Sequence, residues 1–239
     1  MSQLNILHNF KSKNFDNRKE NITFIILHYT ETKTLEDAIK ILTEDYRKVS
    51  CHYVVDINGD IYNLVSDYHR AWHAGVSGWN SLEDINSRSI GIEIVYEGET
   101  KKQFPKIQIS SVIQLIKHLV SKYKIKRDKI LGHSDIAPLR KKDPGKYFPW
   151  MTLDKNRIGL WVKNKDILPS KDLNEKEYGK LLSNLKKIGY PNISDLKQKK
   201  ENKIIIDAFH RHFFPELTGK FPQISSLKKS LDLLKIKTT

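Results

Sequence analysis

The chain has 239 residues, enough for one large domain or a medium domain with a small one, and its 38% hydrophobic and 10% aromatic content excludes a disordered polymer. Its 42 Lys and Arg against 28 Asp and Glu give a formal charge of +14, which suits acidic substrates or polyanionic partners but can also serve solubility alone. The single cysteine, Cys51, excludes an internal disulfide and reads as a small buried hydrophobe, and no apolar run approaches the ~18 residues of a membrane helix.

Residues 1–21 are polar and read as an arm lying on the domain. They lack the basic start, apolar centre and small-residue cleavage site of a secretory leader, which favours a cytoplasmic location over an exported or envelope-associated one. Residues 22–28 form an apolar, partly β-branched run that ends in His28, the pattern of a buried strand. Thr34-Leu35-Glu36-Asp37 opens a helix with Thr34 as its N-cap, and Leu35, Ala38, Ile39 and Leu42 give that helix an apolar stripe. Residues 52–57 and 61–65 flank Asn58-Gly59, a strong hairpin signal. Residues 89–96 read as a strand, 107–123 as an amphipathic helix and 129–133 as a strand ending in His133. The fold class implied is α/β, a mixed central sheet flanked by helices.

The segment 132–145 places Asp143 ten residues after His133, with Pro138, Pro144 and Gly145 between and beside them. Proline removes a backbone donor and fixes φ, so the segment reads as an ordered loop leaving a strand. Two strands ending in His28 and His133, with Asp143 on the loop after the second, make a His-His-Asp set. Three protein ligands leave one tetrahedral position open, as in a catalytic zinc site. Glu93 stands in the apolar run Ile90-Gly91-Ile92-Glu93-Ile94, where an ionised carboxylate is costly without a partner. Glu97 is its rival.

His28-Tyr29-Thr30, Arg70-Ala71-Trp72-His73-Ala74-Gly75, Ile90-Gly91-Ile92-Glu93-Ile94 and the 132–145 loop resemble, in order, the signatures of the zinc-dependent N-acetylmuramoyl-L-alanine amidases called amidase_2, most closely the AmpD and AmiD branch. The resemblance covers roughly the first two-thirds of the chain. It implies one Zn2+ held by His28, His133 and Asp143. It implies Glu93 as the catalytic carboxylate and Lys141, with Lys142 as its rival in register, as the cation that stabilises the oxyanion. Tyr29, Trp72 and His73 are the implied substrate-binding residues. His73 is not taken as a fourth ligand, because a closed site would leave no place for water. His52 and His69 are read as structural.

A polar stretch over 163–174 suggests a boundary, with a catalytic domain at 1–168 and a helical domain at 169–239. In the latter, Tyr178, Leu181, Leu182, Leu185 and Ile188 recur at helical spacing, as do Ile204, Ile205, Ala208, Phe209 and Phe213, and then Leu227, Leu231 and Leu234. Gly189-Tyr190-Pro191 and residues 208–215 resemble the three-helix peptidoglycan-binding domain often attached to these amidases, although His210 stands where that family usually has Gln. The same helices could instead only brace the first domain. The implied activity is hydrolysis of the amide between N-acetylmuramic acid, or its 1,6-anhydro form, and L-alanine of the stem peptide; whether the substrate is intact peptidoglycan or a soluble muropeptide is left open by the sequence. The alternative is a peptidoglycan-binding module without catalysis. Nucleic acid is not an expected partner, because the basic residues are spread along the chain and no recognised motif is present.

Overall fold

The computed structural model describes residues 4–100, 103–163, 171–194 and 199–237. The arm supplies β1 (Phe15–Asn17), and the first apolar run is β2 (Phe24–Tyr29). Then come α1 (Leu35–Thr43), β3 (Tyr53–Val55), β4 (Ile61–Asn63), β5 (His69–Ala71), the single turn α2 (Ile85–Arg88) and β6 (Ser89–Ile94). They are followed by α3 (Lys106–Tyr123), β7 (Ile130–Gly132), the single turn α4 (His133–Ile136) and α5 (Trp150–Lys155). The last helices are α6 (Glu175–Ile188), α7 (Lys199–Phe213) and α8 (Ile224–Lys237).

The main sheet has the order β4-β3-β6-β2-β7. Only the β3–β4 pair is antiparallel; β3, β6, β2 and β7 run parallel, so their carboxyl ends share one edge. In open α/β sheets that edge is where sites form. The expected hairpin is β3–β4, and Gly59 adopts φ +92° in its turn. Thr34 caps α1 as expected, its Oγ1 accepting from the backbone N–H of Asp37.

Alternation along the strands sorts side chains onto two faces. Ile25, Leu27, Ile90, Ile92 and Ile94 pack with Val112, Ile116 and Leu119 of α3. The opposite face carries Phe24 and Ile26 and, nearest the carboxyl ends, His28 and Glu93. These two are direct partners in the β2–β6 register and therefore lie side by side.

Three expectations need correction. The arm is more than a polar cover, because β1 pairs antiparallel with β5 and Arg18 donates to the carbonyls of Ser87 and Ser89. His28 is the penultimate residue of β2 rather than its end. His133 opens α4 instead of closing a strand, because Asp135 Oδ2 accepts the Gly132 N–H at 2.8 Å and turns the chain into a helical turn.

The expected boundary between residues 168 and 169 lies outside the described residues. The apolar stripes of α6, α7 and α8 appear where their spacing predicts, except that Ile204 is exposed and Ile206 is buried in its place. These helices share a core with the sheet: Leu181, Leu185, Ile205 and Phe209 pack in one cluster with Phe24, Ile26, Leu131 and Ile136. Within that contact lies a buried polar knot. Asp135, with no solvent exposure, accepts from Tyr190 Oη–H at 2.6 Å and from His212 Nδ1 at 2.7 Å as well as from Gly132. Removing one partner of such a knot strands the others. Asp135→Ala is expected to lower the unfolding free energy by about 3–5 kcal/mol in denaturant titration. A loss under about 0.5 kcal/mol, the scale of a surface change, would contradict the bracing role.

Candidate metal centre and active site

His28 reaches the site from β2, His133 from the start of α4, and Asp143 from the turn that follows. Backbone bonding fixes that turn, since the Ser134 N–H donates to the Asp143 carbonyl. The three side chains are buried, and His28 Nδ1, His133 Nδ1 and Asp143 Oδ2 lie 2.9–3.1 Å from one another. Gly132 fits this packing closely, because a Cβ there would meet Pro144 Cδ at 2.6 Å.

The surrounding hydrogen bonds assign the protons. Ser89 gives its hydroxyl hydrogen to the Ile85 carbonyl at 2.6 Å, so toward His73 its oxygen can only accept. His73 therefore carries its proton on Nε2 and leaves Nδ1 as an acceptor. His28 Nε2–H donates to that Nδ1 at 3.0 Å, which leaves a lone pair on His28 Nδ1. His133 Nε2–H donates to the Ala74 carbonyl at 3.0 Å, which leaves a lone pair on its Nδ1 too. Three electron-pair donors thus meet with no hydrogen to share among them. A cation between them relieves the repulsion. Tetrahedral ligands at metal–nitrogen lengths of ~2.0–2.1 Å stand roughly 3.3 Å apart, close to the spacing here. The donor set fits a divalent metal ion, and its outer hydrogen bonds hold both imidazoles in the ligating tautomer.

Burial supports this protonation. It lowers His28 to about 4, with His133 adding to the effect, and it lowers His73 well below the usual histidine range. Burial alone would raise Asp143; His133 and His28 hold its carboxyl well below the usual carboxylate range when they carry protons, and a cation between the three would take that part when both Nδ1 atoms are bare.

A pocket of about 380 Å³ opens over these donors and is also lined by Tyr29, Glu93 and Lys141. Glu93 is half-buried, and its Oε2 is shut from solvent without a hydrogen-bond partner among the described residues. Burial, then the charge of Asp143, pushes its carboxyl up to about 8, against the pull of Lys141. The rival Glu97 does not line this pocket. Lys142 does line it, but is exposed, whereas Lys141 is half-buried and acts on the charge of both His28 and Glu93.

Two of the expected substrate-binding residues differ from expectation. Trp72 is absent from the pocket wall; its Nε1–H donates to Asp16 at 3.2 Å on the β1 side. Neighbouring residues of an extended segment face opposite ways, and here His73 takes the inward place. His73 borders the pocket, yet both its ring nitrogens are engaged by His28 and Ser89, so it offers substrate no free polar atom. It orients His28. Its ring lies on Gly91, where an added Cβ would sit 2.4 Å from His73 Cγ. The sequence signals of this support were the serine and glycine of Ser89-Ile90-Gly91, whose alternation puts both on the face of Glu93. Read alone, they looked like ordinary strand residues.

The sequence profile described as Amidase_2, N-acetylmuramoyl-L-alanine amidase, matches residues 18–146. N-acetylmuramoyl-L-alanine amidase AmiD of Escherichia coli strain K12 is 33% identical over 214 residues, spanning 82% of this chain and 76% of the relative. 1,6-Anhydro-N-acetylmuramyl-L-alanine amidase AmpD of Haemophilus influenzae is 43% identical over 104 residues, 43% of this chain and 55% of that protein. The solved structure of E. coli AmiD with anhydro-N-acetylmuramic acid-L-Ala-D-γ-Glu-L-Lys superimposes with a TM-score of 0.82 at 29% identity, covering 95% of this chain and 93% of the other.

Because the donors converge only in the folded chain, metal should stabilise it. Adding a divalent ion at about a thousand times its dissociation constant is expected to add about 4 kcal/mol, read as a higher melting temperature. Asp143→Ala should lose that increase. A wild-type midpoint indifferent to metal and chelator would contradict the site.

Proposed function

The chain belongs to the amidase_2 family of N-acetylmuramoyl-L-alanine amidases, and from that premise we propose that it hydrolyses the amide joining N-acetylmuramic acid to L-alanine of the peptidoglycan stem peptide. The 1,6-anhydro form is included among its substrates, since relatives are named for it or solved with it. The observation that carries the reading is the convergence of three unprotonated donors beneath a pocket that Glu93 and Lys141 also line.

Zinc, one per chain, is the proposed ion, because two imidazoles and a carboxylate with an open position suit hydrolytic zinc. When bound, it supplies Lewis acidity that polarises a carbonyl and makes water a stronger acid. His28, His133 and Asp143 hold it. Glu93 is the proposed general base. A carboxyl raised toward neutral pH can take a proton from the attacking water and return it to the leaving nitrogen. The Lys141 ammonium is placed to steady negative charge developing on the carbonyl oxygen. Tyr29, on the pocket wall, is a proposed substrate contact. Among the described residues no helix is long and apolar enough to cross a membrane.

The base must be ionised, so kcat/KM should rise with pH along an acid limb. That limb should lie at or below pH 8, since a bound cation would lower the carboxyl that burial pushes up to about 8. Glu93→Gln should remove the limb and cut kcat by about 10²–10⁴-fold. A variant retaining the wild-type profile would assign the base elsewhere. Mass spectrometry of products from polymeric peptidoglycan and from anhydro-muropeptide should show release of a peptide with a free L-alanine amine, abolished by chelator. Chelator-resistant cleavage, or no cleavage of either, would refute the activity as drawn.

A further inference from the structure

A second cavity, of about 410 Å³, lies between the 138–142 segment and α7, and it continues the active-site pocket through the shared Arg140, Lys141 and Lys142. From the other side it is lined by Lys203, Arg211 and Lys220. Against these six cations stands one acid in the lining, Asp207, which the Arg211 guanidinium engages through Nη2. Lys203 is held by its ammonium lying 4.4 Å over the Phe221 ring.

Arg211 is the informative residue. It is 7% exposed, and its Nε and Nη1 are shut from solvent with no hydrogen-bond acceptor among the described residues. The nearest further carboxylate, Glu99 Oε1, is 3.8 Å from Nε, beyond bonding distance. No acceptor entering the cavity meets those two nitrogens, so what Arg211 offers the cavity is its positive charge. A fixed positive charge beside a cavity that five further cations line favours a carboxylate there.

The proposed substrate is lopsided in charge. Its sugar side carries no carboxylate once the lactyl group is amidated. Its peptide side does: a γ-linked D-Glu keeps its α-carboxylate, and the peptide ends in another. We propose that the cavity between the 138–142 segment and α7 is a carboxylate subsite, in which Arg211 with Lys203 and Lys220 binds the acidic stem peptide beyond the scissile amide. This rests on the amidase reading. It makes α7 part of the substrate groove, and it orients the substrate so that the peptide runs toward the helical part of the chain.

The test compares two soluble anhydro-muropeptide tripeptides that share the scissile amide. One has free D-Glu and C-terminal carboxylates; the other has both as primary amides. The ratio of their kcat/KM values is the readout. The wild type should prefer the free acid by about tenfold, the worth of one charge-assisted contact, mainly through KM. Arg211→Gln should bring the ratio toward one, and so should Lys203→Gln with Lys220→Gln, both on exposed positions that spare the fold. Lys117→Gln, on α3 outside the cavity, should keep it. A wild-type ratio of one, or a preference that survives both cavity variants, overturns the subsite. So does a preference equally lost in Lys117→Gln, which would reflect net charge alone. Failure to cleave either compound would instead refute the amidase reading.

Discussion

Two imidazole lone pairs and a carboxylate oxygen are aimed at one point from three separate segments, and much of the surrounding structure serves to keep them there. The aim is set one bond further out. Ser89 commits its hydrogen to a backbone carbonyl, which fixes the tautomer of His73, which fixes that of His28. The Ala74 carbonyl does the same for His133. Each link is an ordinary hydrogen bond, but together they leave no proton at the centre. Such a centre is repulsive when empty and selective for a cation when filled. Gly91 and Gly132 are required by the same packing, one to admit the His73 ring and the other to admit Pro144.

The sheet explains why these groups can meet. Parallel strands end on one edge, and equal register places His28 and Glu93 side by side. His28 and the proposed base therefore sit on adjacent strands, while His133 and Asp143 reach the same edge from α4 and the turn after it; Asp143 lies between two imidazoles, and Glu93 Oε2 has no polar partner among the described residues. That difference of surroundings drives Asp143 down and Glu93 up. The sharing of labour among carboxylates follows from position rather than residue type.

Much of this was legible in the sequence. His28, His133 and Asp143 could be named because each closes an apolar run or sits in a proline-broken loop, and Glu93 because a carboxylate in Ile-Gly-Ile-Glu-Ile is anomalous. The helical stripes of the last third were also readable from their spacing. What escaped depended on contacts between distant segments. The inward turn of His73, the outward one of Trp72 and the pairing of β1 with β5 are tertiary facts with no local pattern. Asp135 lies in the same 132–145 segment as His133 and Asp143, yet its carboxylate is consumed by Tyr190 and His212, 55 and 77 residues away. The shared core of the sheet and the last three helices was hidden for the same reason: an amphipathic stripe shows that a face is buried, not what buries it.

The central claim is that the two imidazoles of His28 and His133, and no others, face the metal. X-ray absorption at the zinc edge of the metal-loaded protein counts them directly. The expected spectrum shows two imidazole ligands with the remaining ligands oxygen and no sulfur. A third imidazole would put His73 in the coordination sphere and break the proton chain that starts at Ser89; a single one, or a sulfur, would contradict the centre itself.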